Sequence, residues 1–347
     1  MTATSRYYYK YTILLLFFIL GILTGWALRN ASLKNNPIKP PSSNNAIEYK
    51  MSEQRLQSSY KFINPLLECD VNLENLVPIR KLQSSLTDYI NKQESINIVT
   101  YVSVYFRDLN NGPSFGINSN ELFAPASLLK VPLMIAYYKM AEDDPAILTT
   151  KVKNEVSNSN EIYNAQIFKA SKQLEPNAEY TVDELIDRMI IYSDNVAYKI
   201  LYDRMDPQKR DSIYSDLDID MSAENTDPTG NIISIKDYST FFRILYNASY
   251  LNAYNSEKAL KLLSQSEFNK GLSAGLPNGV TIAHKFGERF YSNSSEGQLH
   301  ECGIIYYKNN PYLLCVMTRG SDYNTLSKII SDISAATYSF LSVQWGN

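Results

Sequence analysis

INIVTYVSVYF, residues 96–106, decides the fold. Its β-branched and aromatic residues alternate as in a strand with one face on a core. Asn110-Asn111-Gly112 follows as a hairpin-turn signal, and 113–117 reads as the return strand. Working outward, TIAHKF (281–286), CGIIYYK (302–308) and YLLCVMT (312–318) carry the same strand character near the other end of the chain, the last two joined by Asn309-Asn310-Pro311. A helix from about Thr325 to Phe340 closes the sequence. Helical patterning occupies 79–93 before the first strand, and then 126–142, 181–191, 195–205, 234–251 and 256–267 between the two groups of strands. Thr181-Val182-Asp183-Glu184 and Ser234-Ile235-Lys236-Asp237 open two of these as capping boxes, in which side chains satisfy the free amides of the first turn. Strands, helices, strands and a final helix predict an α/β fold whose antiparallel sheet is completed by both ends of the chain around a helical insertion.

The chain has 347 residues, 44% hydrophobic and 20% charged, which excludes a disordered or collagen-like protein. Thirty-three basic against 36 acidic residues give a net charge of −3, with no positive excess to bind phosphate backbones. Nucleic acid is therefore not an expected partner. Three cysteines and two histidines are too few for a zinc ribbon or an Fe–S cluster, so no metal and no cofactor are expected.

Tyr11 to Leu28 carries no charged residue and makes about 27 Å of helix at 1.5 Å per residue, enough to cross a bilayer. Arg6 and Lys10 precede it, Arg29 follows it, and no small-x-small cleavage site is convincing, which favours an uncleaved signal anchor. Lys34 and Lys39 balance the N-terminal charges, so charge does not set its orientation. Residues 1–10 form a short tail, 11–28 the anchor, 29–60 a flexible Asn-, Pro- and Ser-rich linker, and 61–347 one folded domain.

Ser127-Leu128-Leu129-Lys130 sits at the start of the 126–142 helix, where an i, i+3 spacing puts hydroxyl and amine on one face. A serine nucleophile needs such a base, and the helix start adds free N–H groups beside a developing oxyanion. Alone the pattern is weak, because Ser58-Ser59-Tyr60-Lys61 matches it equally well. Two further patterns change its weight: Ser193-Asp194-Asn195 at a junction of two helices, and His284-Lys285-Phe286-Gly287 in a strand.

This ordered set, S-x-x-K, S-D-N and K-x-G, resembles class A β-lactamases and penicillin-binding proteins, whose motifs are S-x-x-K, S-D-N and K-T-G. The resemblance covers residues 95 to 345, including ASLLKVPLMIAYY, GLSAGLPNGVTIAHKFG and the final hairpin into MTRG. It implies a three-layer α-β-α fold with a five-stranded antiparallel sheet, an all-helical part, and a site in the crevice between them. It also implies a domain facing outward from the cell membrane, toward the wall. By the same resemblance Ser127 is the acylated nucleophile, Lys130 the neutral amine that takes its proton, and Ser193 the group that passes a proton to the leaving nitrogen. Asn195 would hold the substrate's side-chain amide. Lys285 would attract the substrate carboxylate and, by like-charge repulsion, lower the Lys130 pKa. The amides of Ser127 and Glu288 would form the oxyanion hole, with Gly287 allowing close approach.

The implied activity is hydrolysis of β-lactam amides through an acyl-enzyme. The alternatives are a D,D-peptidase acting on peptidoglycan stem peptides with slow deacylation, and a non-catalytic surface module. Phe286 departs from the family's Thr or Ser and removes a hydroxyl that holds the carboxylate. The E-x-x-L-N context of the class A deacylating glutamate is absent between Asn195 and Ser234, leaving Glu224 and Asp227 as the only acids near the expected place. Gly271-Leu272-Ser273-Ala274-Gly275 matches a nucleophile elbow, but a helix precedes it and a strand follows, the reverse of an elbow's order. His284 and His300 read as strand residues. Among Cys69, Cys302 and Cys315 the most economical disulfide joins Cys69 to Cys302; the alternative is three buried thiols.

Overall fold

The computed structural model describes residues 52–55, 60–70, 76–95, 99–110, 112–217, 230–290, 296–308 and 310–345. All fall within one compact unit, Glu48–Asn347. The segment Tyr11–Leu28, read as an anchor, lies outside them. Among the described residues no helix is long and apolar enough to cross a membrane.

Five strands form the central sheet: β1 (Val99–Asp108), β2 (Ser114–Ile117), β3 (Thr281–Phe290), β4 (Gly297–Tyr306) and β5 (Tyr312–Gly320). Their order is β2-β1-β5-β4-β3, antiparallel throughout, so the N-terminal hairpin and the C-terminal strands meet where Val104 pairs with Val316. The longer helices are α1 (Leu76–Glu94), α2 (Lys130–Asp143), α3 (Val182–Ile191), α4 (Asn195–Arg204), α5 (Pro207–Asp216), α6 (Ile235–Tyr246), α7 (Ala253–Leu263) and α8 (Tyr323–Trp345).

Strand alternation divides the core in two. Val102, Val104, Phe106, Leu314 and Val316 face α1 and α8, packing on Ile79, Leu86, Ile329 and Ile333. Tyr105, Ala283, Cys302, Leu313 and Cys315 face the opposite way, onto the helices between 130 and 263. Three layers follow directly from this alternation on a sheet covered on both sides. The all-helical part hangs from the second face.

The capping box at Thr181 is complete, whereas Ser234 caps its helix without the return bond from the Asp237 carboxylate to the Ser234 amide. The Thr181 hydroxyl accepts from the Glu184 amide while the Glu184 carboxylate accepts from Thr181 N, and Ser234 Oγ accepts from the Asp237 amide. Several boundaries differ from the sequence expectation for identifiable reasons. The helix expected to reach 251 ends at Tyr246, where Ser249 N bonds Ile244 O and Ala248 takes a φ of 47°. That is a Schellman ending with alanine where glycine is the usual signal. Strand β4 starts at Gly297 rather than 302 because buried polar residues, Gln298, His300 and Glu301, occupy its first half. Helix α5, capped by the Asp206 side chain with Pro207 in its first turn, was not expected from sequence.

The linker reading also needs correction. Ser52–Arg55 is a strand, paired antiparallel with Leu66–Asp70, a backbone partnership that composition does not reveal. The expected Cys69–Cys302 pairing is replaced by a Cys302–Cys315 disulfide. These two cysteines stand directly opposite each other on β4 and β5 with both side chains buried, whereas Cys69 lies in the separate two-stranded sheet. His284 and His300 are strand residues, as read, and His284 Nδ1 contacts Glu301 Oε1 at 2.5 Å.

Candidate active site

The turn that carries Ser127 is held from both sides. Gln298 Oε1 accepts from Ala124 N at 2.9 Å, and His300 Nε2 lies 3.2 Å from Ala124 O. Thr318 N donates to His300 Nδ1 at 3.3 Å, so the ring proton sits on Nε2 and points at the Ala124 carbonyl. Burial lowers the His300 pKa to about 3, and the ring stays neutral at physiological pH. Ala126 then adopts a φ of 48°, an unfavourable region for a residue with a side chain, and opens the 3₁₀ turn Ala126–Leu129 that carries Ser127 into α2.

Gly287 lies against this turn. A Cβ at that position would stand 2.7 Å from Pro125 O and 3.1 Å from Leu128 N, both main-chain atoms. Only glycine permits so close an approach of β3 to the Ser127 turn. The amide of Glu288 follows directly on that contact.

One turn along from Ser127, Lys130 Nζ lies 3.0 Å from Ser127 Oγ. The same nitrogen donates to Ser193 O at 2.6 Å, Ser193 Oγ at 3.1 Å and Asn195 Oδ1 at 2.5 Å. Lys285 Nζ, arriving from β3, donates to Ser193 Oγ at 2.9 Å and to Phe286 O at 3.1 Å. Ser127, Lys130, Ser193 and Lys285 thus form one continuous chain of contacts. Their convergence depends on Asp194, whose carboxylate caps α4 by accepting from Val196 N and Ala197 N and also accepts from the Tyr163 hydroxyl. Ser193 takes a φ of 54° at this junction, which turns its side chain and carbonyl toward both lysines.

Burial pushes the Lys130 pKa down to about 7, against the opposing pull of Asp194 and Glu288. Burial lowers Lys285 well below its ordinary value, and repulsion from Lys130 adds to that. Desolvation is thus the main cause at both amines, and the like-charge repulsion between Lys285 and Lys130 disfavours charging both at once. An amine near neutrality in contact with a hydroxyl can accept its proton at physiological pH, which is the requirement for making Ser127 nucleophilic.

The Glu288 carboxylate, which sequence reasoning did not single out, accepts from Ile167 N at 2.8 Å and Phe168 N at 3.0 Å. Gln166 Nε2 donates to Ser193 O at 3.1 Å. Neither belongs to a motif, and only the fold brings segment 166–168 to β3. Glu224 and Asp227 lie outside the described residues.

The model of the β-lactamase enzyme family matches residues 81–341. The chain belongs to that family. It is a β-lactamase-like serine hydrolase. No curated protein sequence matches it. Among solved structures, a mutant of PBP-A in acyl-enzyme complex with penicillin G is 21% identical, covering 76% of this chain and 97% of that one, with a TM-score of 0.62. The TLA-3 extended-spectrum β-lactamase is 19% identical over 74% of this chain and 98% of its own, with a TM-score of 0.63. A class A β-lactamase from Mycobacterium abscessus is 17% identical over 76% of this chain and all of its own, TM-score 0.62. At such identities these structures establish a common fold with this β-lactamase-family domain.

Proposed function

We propose that the chain is a membrane-anchored serine hydrolase, acylated at Ser127 by β-lactam amides, which it then hydrolyses. The observation that carries this reading is the contact of Ser127 Oγ with the buried Lys130 amine at 3.0 Å. In the acylation step neutral Lys130 takes the Ser127 proton as Oγ attacks the amide carbonyl. The oxyanion is received by the amides of Ser127 and Glu288. Ser193, in contact with both lysines, hands a proton to the leaving nitrogen as the C–N bond breaks. Asn195 holds the substrate's side-chain amide, and water releases the acyl group. The Tyr11–Leu28 segment anchors the domain on the outer face of the cell membrane.

One observation favours a second reading, a D,D-peptidase acting on peptidoglycan stem peptides with slow deacylation. Among the described residues, the two carboxylates whose charge acts on Lys130, Asp194 and Glu288, both accept from main-chain amides. Neither is poised to activate water.

Full-length chain in detergent, mixed with nitrocefin, separates the readings. Sustained turnover supports hydrolysis of β-lactams; a one-equivalent burst with a stable mass increment supports the slow-deacylating peptidase. Ser127→Ala should abolish the increment in either case. An increment that survives in Ser127→Ala moves the nucleophile elsewhere, and no labelling of the unaltered chain leaves a non-catalytic module.

A further inference from the structure

Leu128, the residue after Ser127, is held by two elements that carry none of the three motifs' hydroxyls or amines to it. It meets β3 where a Cβ on Gly287 would stand 3.0 Å from Leu128 Cγ and 3.1 Å from Leu128 N. It meets α6 through Tyr238, whose hydroxyl donates to Leu128 O at 3.1 Å. Tyr238 is fully buried, with its ring edge-on to Phe241 and Phe242. Burial raises its pKa well above the ordinary value, so the phenol stays protonated and donates.

The sequence explains why Leu128 O takes this partner. A carbonyl in an α-helix accepts from the N–H four residues on, and here that residue is Pro132, which has no N–H. The 3₁₀ turn Ala126–Leu129 runs directly into α2, and the cap amide of Lys130 reaches Leu128 O from within it. Tyr238 supplies a donor from outside, where a buried carbonyl short of partners would cost free energy. Ahead of the serine, Phe123 pairs with Ile233 and Leu122 with Ser234. The stretch 123–128 is therefore tied to 233–238 at both ends, and Ser127 lies between the ties. Being fully buried, Tyr238 acts on the reaction only through the main chain between Ser127 and Lys130.

We infer that Tyr238 is a positioning residue for acylation: its hydroxyl replaces the amide that Pro132 lacks and holds Leu128, so that Ser127 keeps its alignment with Lys130 and with the Glu288 amide. The inference rests on the acyl-transfer reading of Ser127. Penicillin G at several concentrations is mixed with full-length chain in detergent, and the Ser127 adduct is followed by intact mass. This separates the maximal acylation rate from the half-saturating concentration. Tyr238→Phe keeps the ring in its packing and removes the hydroxyl. The maximal rate should fall about tenfold, the scale of one buried hydrogen bond and a small misalignment, with the half-saturating concentration changed by less than about threefold. The pH midpoint of acylation should not move, because Lys130 is untouched. Pro132→Ala returns an N–H at residue 132, and in that background Tyr238→Phe should cost no more than about twofold. A maximal rate within about twofold of the unaltered chain overturns the inference. So does a tenfold loss that persists undiminished with Pro132→Ala, or one carried by the half-saturating concentration. Absence of any adduct on the unaltered chain overturns instead the acyl-transfer reading beneath it.

Discussion

Lys130 and Ser193 are joined twice, the amine donating to the serine carbonyl at 2.6 Å and to its hydroxyl at 3.1 Å. The two motifs that meet here are far apart in sequence, and the contact fixes the amine where it also reaches Ser127. Only the neutral amine can accept the Ser127 proton. With a Lys130 pKa of about 7, the acylation rate should fall about tenfold per pH unit below that value and level off above it. Adduct formation measured between pH 5 and 9 checks this, and a flat profile across pH 6 to 8 contradicts it.

The same shift has a consequence for stability. The unfolded chain holds the Lys130 proton up to about 10.5, while the folded chain releases it near 7. Between those values the unfolded state binds more protons, so stability rises with pH across that window, and below about 7 the full cost of burying the cation stands. Lys130→Met removes that cost. Two of the acceptors left behind keep other partners, Ser193 O with Gln166 and Ser193 Oγ with Lys285, while the part-buried Asn195 Oδ1 loses its lysine donor. The variant should gain about 1–2 kcal/mol at pH 6, as functional residues relieved of strain commonly do, and lose acylation. Thermal unfolding at pH 6 and pH 9 checks it; the gain should be smaller at pH 9.

Gly287→Ala tests the approach of β3 to the Ser127 turn. The added methyl meets Pro125 O at 2.7 Å, and a main-chain atom cannot swing aside as a side chain can. Displacing the Glu288 amide by even a few tenths of an ångström degrades the oxyanion site, so acylation should drop about a hundredfold or more. The fold should survive with a loss of about 1–3 kcal/mol, the usual scale of overpacking. Circular dichroism alongside adduct kinetics separates the two effects.

The convergence of these side chains was legible because they fall in short motifs: Ser127 with Lys130, Ser193 with Asn195, Lys285 with Gly287. The strands were legible where alternation is apolar, as in β1 and β5. Strand β4 was half hidden because His300 and Gln298 are buried polar residues whose partners, Ala124 and Thr318, are distant in sequence. Glu288 was named for its amide alone, since nothing in the sequence ties its carboxylate to Ile167 and Phe168. The cysteine pairing failed for a related reason: choosing among three cysteines requires the β4–β5 register, and that register is a property of the folded sheet.

The register in turn predicts the thiol chemistry. Cys302 and Cys315 face each other across β4 and β5, and their bond closes a short hairpin loop. Cross-linking a loop of about 15 residues stabilises by roughly 3 kcal/mol through the lost entropy of the unfolded chain. Full-length protein unfolded without reductant and treated with an alkylating agent should therefore carry one label, on Cys69, and a linked peptide pair containing Cys302 and Cys315 should survive digestion. Replacing both Cys302 and Cys315 by alanine should lower the unfolding free energy by about the loop term plus the cost of two small buried cavities. Label on Cys315 instead of Cys69 would restore the Cys69–Cys302 pairing and contradict the Cys302–Cys315 disulfide.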